Sequence, residues 1–176
     1  MAHIHTRPGQ HDHTASAFIV RTDLGEPKLM LHLHKKLGVY LQFGGHIELD
    51  ETPWQAICHE LVEESGYDIS QLKILQPKHR IDKLDKSKMH PIAFCHNTHN
   101  IDEAHLHTDL DYLFVTEFPP KHRIQEGESD NIIYVSRDDL DKKKYSKINE
   151  DIRIIGLGIF DVFLENWERV STDQFD

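Results

Sequence analysis

The sequence predicts an α/β fold in which a sheet is covered by helices. Three observations lead there. Short apolar or alternating segments occur on both sides of one well-capped helix at residues 53–65. A second amphipathic segment closes the chain at about residues 148–167. No repeat, low-complexity tract or linker interrupts this order, so the 176 residues read as one domain, 1–176, long enough to bury a substantial core.

Residues 1–13 are expected to be a flexible or edge N-terminal segment. Residues 14–21 are apolar and β-branched, as strands are. After the turn at Gly25, Glu26 and Pro27, residues 28–34 alternate Leu29, Leu31 and Leu33 with other side chains, the mark of a half-buried strand. Residues 40–43 make a short strand running into Gly44 and Gly45, where a tight turn and close backbone approach are expected. The helix follows: Thr52 as N-cap, Pro53 at its first position, Gln55 completing a capping box and Gly66 as terminator. Trp54, Ile57, Cys58, Leu61 and Val62 give it one apolar face. Further strands are expected at 72–81, 91–95, 106–118 and 131–135, with polar loops at 82–90, 96–104 and 119–129. In the closing helix Ile148, Ile152, Ile155, Ile159, Phe163 and Trp167 recur at helical intervals, although Gly156 and Gly158 weaken its middle.

Composition excludes several classes. The 20 Lys and Arg against 30 Asp and Glu leave a charge of −10, which argues against a general nucleic-acid binder. Nothing in that charge opposes a small nucleotide substrate, since bound divalent cations offset local negative charge. No apolar run is long enough to span a membrane, and the polar start lacks a signal core. With only Cys58 and Cys95, a cytoplasmic protein with reduced thiols is the simplest reading; a homodimer is left open. The 15 histidines include alternating pairs at His3/His5, His11/His13, His32/His34 and His105/His107. Each pair would share one strand face, either as a surface habit or as a place for metal.

The helix carries chemistry on a second face. Glu60, Glu63 and Glu64 fall at i, i+3 and i+4, so the three carboxylates are expected on one side, opposite the apolar face. A merely solvated acidic face is the plain alternative. Against it stand the glycine pair before the helix and Glu51 just ahead of it, a fourth carboxylate able to fold back. Hard cations such as Mg²⁺ take carboxylates, waters and substrate phosphates as ligands, so this loop–helix unit suits metal held against a diphosphate.

Gly45-x5-Glu51-x7-His59-Glu60-Leu61-x-Glu63-Glu64-x-Gly66-Tyr67 resembles the Nudix box, G-x5-E-x7-R-E-U-x-E-E-x-G-U with U bulky and apolar. From Gly45 to Tyr67 one defining position departs: His59 stands where the family has arginine. The resemblance implies a Nudix-type α/β/α sandwich with a central mixed sheet. It also implies a pyrophosphohydrolase that uses water and Mg²⁺ (or Mn²⁺) on a nucleoside-diphosphate-linked or nucleoside di- or triphosphate substrate. Glu60, Glu63 and Glu64 match the metal-binding glutamates, Glu51 the supporting one, and Gly45 the glycine whose carbonyl can also be a ligand. The arginine is thought to orient the glutamates as a fixed fork, and His59 is shorter and titratable. A contact from His59 to Glu63, four residues on, is one way it could substitute.

An additional base or substrate contact is expected from outside the box. In an extended strand His105, His107, Asp109 and Asp111 share one side, and Leu106, Leu110 and Tyr112 the other. Asp109 and His107 are therefore candidates, Glu128 is a second source, and Glu103 and Glu126 are fallbacks. His46 follows the glycine pair and can face the site. Tyr40 and Phe43 can stack on a base, although short-strand aromatics more often belong to the core. Two other functions compete with the hydrolase: a catalytically weak or inactive Nudix-fold module that binds or senses a nucleotide, and a histidine-rich metal-binding protein.

Overall fold

The structure, a computed structural model, describes residues 10–101 and 105–175; His3, His5 and Glu103 lie outside them. Among the described residues one mixed sheet contains nine strands. They are β1 (Gln10–Arg21), β2 (Lys28–Leu33), β3 (Tyr40–Leu41), β4 (Phe43–His46), β5 (Lys73–Gln76), β6 (Cys95–Asn100), β7 (His105–Thr116), β8 (Ile132–Val135) and β9 (Glu168–Ser171). The main path is β3-β2-β1-β7-β5-β9, with β4 paired to β1, β6 to β7 and β8 to β2. The long strands β1 and β7 lie parallel and in register from Gln10↔His105 to Arg21↔Thr116. Gln10–His13 thus continue β1 rather than forming a tail.

Alternation sorts these two strands into faces. Ala15, Ala17, Ile19, Tyr112 and Phe114 pack with Phe43 and with Trp54, Ile57 and Leu61 of α1 (Pro53–Glu60). Trp54 lies 6.3 Å from Phe114 and 5.6 Å from Phe175, ring centre to ring centre. On the opposite face Phe18, Val20, Leu113 and Val115 meet Ile152 of the closing helix α3, Glu150–Gly158, and Ile159 just past its end. This helix runs on through a wide turn at Ile159–Phe163 and Leu164–Asn166. The sheet is thus covered on both faces, an α/β/α sandwich.

Several boundaries differ from expectation for physical reasons. β5 ends at Gln76 because Pro77 cannot continue the ladder. The polar stretch 96–104, expected as loop, contributes most of β6, paired with β7 from Cys95↔Asp111 to Asn100↔Leu106. Alternation there is not apolar against polar, because one side of the hairpin meets a polar sheet face. The short α2 (Arg137–Asp141), capped by Ser136, and β9 were not anticipated. The closing helix begins at Glu150, two residues later than Ile148, with Asn149 as N-cap. Among the described residues no helix is long and apolar enough to cross a membrane, and Cys58 and Cys95 form no disulfide.

Candidate active site

The acidic helix starts as its sequence dictates. Gln55 N–H donates to Thr52 Oγ1 at 3.3 Å and Thr52 N–H to Gln55 Oε1 at 2.9 Å, the reciprocal capping box. At its other end α1 widens into a π turn over Leu61–Ser65 and stops at Gly66, whose φ of 74° is left-handed. A β-carbon on Gly66 would lie 2.4 Å from the His122 carbonyl oxygen, so the loop after β7 can close on the helix end only over glycine. Gln125 N–H donating to Glu63 O and His122 N–H to Gly66 O hold that loop there.

The carboxylates do not lie on an open face. Glu60 is 2% exposed and Glu64 8%, whereas Val62, assigned to the apolar face, is 38% exposed. The π turn takes more residues per turn than the α-helix before it and so shifts the faces after Glu60, and burial follows the positions that reach back toward the sheet. Glu64 Oε2 accepts from Gly44 N–H at 2.7 Å. Gly44 lies in β4, opposite Ser16 of β1, and not in a turn. Its φ is 139°, and a β-carbon would sit 2.3 Å from the Ala15 carbonyl oxygen. The glycine pair therefore serves close approach between strands, and the Gly44 amide anchors Glu64.

His59 contacts Glu51 and Glu60, not Glu63. Its Nδ1 is 2.9 Å from Glu51 Oε1 and its Nε2 3.5 Å from Glu60 Oε1. It bridges the supporting glutamate to a metal-ligand candidate. Even so, Glu60 Oε1 is buried without a hydrogen-bond partner. Among the described residues no Lys or Arg is ion-paired with Glu60, Glu63 or Glu64. Burial raises the Glu60 carboxyl above its usual range, helped by Glu63 and opposed by His59. Burial likewise pushes Glu64 up to about 8, opposed by the Gly44 amide and reinforced by Glu60 and Glu128. An all-oxygen set, desolvated, mutually repelling and with an unsatisfied oxygen, fits a hard divalent cation.

A pH dependence follows. The folded, metal-free chain holds protons on Glu60 and Glu64 that the unfolded chain has released, so stability should fall as pH rises from about 5 to about 8. The expected loss is on the order of 1–3 kcal/mol, and Mg²⁺ should offset it. Urea midpoints in EDTA and in Mg²⁺ check this, with Glu64→Gln expected to flatten the slope. A metal-free midpoint that climbs through this window contradicts it.

The other candidates divide. Glu128 is exposed in the loop following β7, and its charge helps to raise both Glu60 and Glu64. His46, His107 and Asp109 come together, but on the sheet face away from α1. They alternate with Phe43, Gly45, Leu110 and the alanines of β1 that face the helix. There Ser16 Oγ donates to Asp109 Oδ2 at 2.8 Å, and His46 Nε2 is 3.2 Å from His107 Nε2. Asp111 on the same face is raised by burial and by the neighbouring Asp109 charge. Phe43 is fully buried core, and half-buried Tyr40 donates to Asn131 Oδ1, as the plainer reading of both has it. Lys35, not singled out in the sequence, reaches from the turn after β2 to the Gly127 carbonyl beside Glu128. A hollow lined by Arg80, Asp82, Lys83, Lys88, His90 and Phe175 lies in the 77–94 loop and contains none of these carboxylates.

The family model of the NUDIX domain matches residues 11–154. A hydrolase of the NUDIX family from Clostridium perfringens is 28% identical, covers 87% of this chain and 98% of its own, and superposes with a TM-score of 0.69. A C. elegans Ap4A hydrolase, in a binary complex, is 20% identical over 87% of this chain and 97% of its own, at a TM-score of 0.62. The NUDIX domain of Shewanella oneidensis NrtR complexed with ADP ribose is 16% identical over 76% and 77%, at 0.53, and with the C. elegans protein speaks for the fold alone. Among curated proteins no sequence match was found. With the box residues gathered at one helix end and the domain matched across most of its length, the chain belongs to the NUDIX family and is one of its pyrophosphohydrolases.

Proposed function

We propose that this chain is a Mg²⁺- or Mn²⁺-dependent hydrolase of a phosphoanhydride in a nucleoside-diphosphate-linked, or nucleoside di- or triphosphate, small molecule. The observation that carries this is the desolvated set of Glu60 and Glu64 beside half-buried Glu63, with Glu60 Oε1 unsatisfied. Glu60, Glu63 and Glu64 are the metal ligands, with the Gly45 carbonyl as a further donor and Glu51 supporting through His59. When bound, the cation polarises the phosphoryl oxygens and lowers the pKa of the attacking water.

The protein's own groups do the rest. Gly44 N–H fixes Glu64 so that its other oxygen is free to point at the ligand. Glu128, exposed and within charge range of the cluster, is the better-placed candidate to take the proton from water; Asp109 and His107 lie on the other face of the sheet. Lys35 beside Glu128 offers a cation to an outer phosphate.

A release assay across ADP-ribose, dinucleoside polyphosphates, nucleotide sugars and nucleoside di- and triphosphates, with Mg²⁺ or Mn²⁺, tests the reading. Turnover of at least one class, abolished by EDTA and by Glu63→Gln, is expected. Tight nucleotide binding without turnover would favour the binding-module alternative. His59→Arg should leave or raise activity, because a permanent fork can hold Glu51 and Glu60 together. His59→Ala should lower it roughly tenfold, the scale on which losing a group that orients a metal-binding carboxylate acts. A large loss in His59→Arg would give His59 a part of its own.

A further inference from the structure

The sheet face away from α1 is apolar at one end and polar at the other. Phe18, Val20, Leu113 and Val115 continue in register as Asp12, Thr14, Ser16, His105, His107, Asp109 and Asp111. Within that polar end, three strands bring nitrogen and oxygen donors to one point. The parallel β1–β7 register sets Asp12 opposite His107, with His105 two residues along. The antiparallel β1–β4 register sets His46 opposite Thr14, two residues from Asp12. Asp12 is fully buried, and His46 and His105 are each 7% exposed.

Three donor–donor distances here are close to ligand spacing. Asp12 Oδ2 is 3.4 Å from His46 Nε2 and 3.2 Å from His105 Nε2. His46 Nε2 is 3.2 Å from His107 Nε2. Asp12, His105 and His107 each offer one atom with all three inside 4.8 Å. Zinc at 2.0–2.1 Å from tetrahedral ligands spaces those ligands about 3.3–3.4 Å apart. Two ring nitrogens 3.2 Å apart cannot both carry hydrogen, so at least one of His46 and His107 presents a lone pair. Imidazoles with one carboxylate suit Zn²⁺, Co²⁺ or Ni²⁺ and suit Mg²⁺ poorly.

We propose that Asp12, His105 and His107, with His46 as the fourth donor, bind one Zn²⁺-class ion on the sheet face opposite the acidic helix. This site is separate in chemistry from the all-oxygen cluster and stands whether or not that cluster hydrolyses a nucleotide. Its ion ties β1, β4 and β7 together, and β4 carries the Gly44 amide that holds Glu64. Its role is to brace the strands, not to attack substrate.

The test is metal uptake by the untagged full chain in excess Mg²⁺, without nucleotide. One tight equivalent of Zn²⁺ is expected, replaceable by Co²⁺ with the intense visible bands of four-coordinate cobalt. A hundredfold excess over Kd should raise the unfolding midpoint by roughly 5–10 °C. Asp12→Asn and His107→Gln should each weaken uptake at least a hundredfold, and His46→Gln should change the cobalt spectrum. His11→Gln/His13→Gln, on the exposed side of β1, should retain both, which separates the site from surface histidines. Wild-type protein that takes up no tight equivalent overturns the proposal whatever the variants' folding. So does an Asp12→Asn/His107→Gln chain that binds zinc as wild type does, or a cobalt spectrum unmoved by His46→Gln.

Discussion

Glu64→Gln is expected to lower kcat/KM at least about a hundredfold, some 2.7 kcal/mol of barrier, and to weaken Mg²⁺ or Mn²⁺ binding in parallel. Glutamine keeps the shape and keeps an oxygen able to accept from Gly44 N–H, so the fold and the strand–helix tie should persist. What it removes is the negative charge. In a buried position next to Glu60 that charge is unfavourable without a cation and strongly favourable with one, which is why the metal-free carboxyl holds its proton to about 8. The variant should therefore be slightly more stable than wild type in EDTA at pH 8, yet gain less from Mg²⁺. Steady-state kinetics with metal titrations, beside urea unfolding at the same pH, read both. Unchanged activity would remove Glu64 from the metal site.

Gly44→Ala should be the most damaging single change of small size. The backbone there has φ 139°, closed to residues with a β-carbon, and the added carbon would stand 2.3 Å from the Ala15 carbonyl oxygen and 2.8 Å from Ser16 Cα. Neither obstacle is a flexible side chain. β4 must separate from β1, or the peptide must turn and lose its bond to Glu64. Strain of this kind costs roughly 1–3 kcal/mol, and loss of the ladder adds to it. Activity should fall further than stability alone explains, because the Gly44 amide and Glu64 move together. A drop in unfolding midpoint with kcat preserved would show that Gly44 shapes the strand without positioning the carboxylate.

The sequence by itself determined the helix and its limits, because each signal is local: Thr52 caps, Gln55 returns the bond, Gly66 supplies the left-handed stop. It also placed Glu51, Glu60, Glu63 and Glu64 on one loop–helix unit, since spacing along a helix needs no partner. β1, β2, β7 and β8 were visible from apolar or β-branched content. β6 was not, as Cys95, Asn97 and His99 face the polar sheet face with Asp111, Asp109 and His107 instead of a core.

Tertiary structure alone decided three things. The π turn, with the sheet beneath it, buried Glu60 and Glu64 where periodicity suggested an open face. Packing gave His59 to Glu51 and Glu60 in place of Glu63. Strand register joined Asp12 to His105, His107 and His46 across the chain, although the strand alternation setting Asp12 apart from His11 and His13 was there to be read. The physical reason is common to all three. A hydrogen bond between near neighbours is written in the order of residues, whereas desolvation and long-range pairing depend on which surfaces meet, and only the folded sheet sets that.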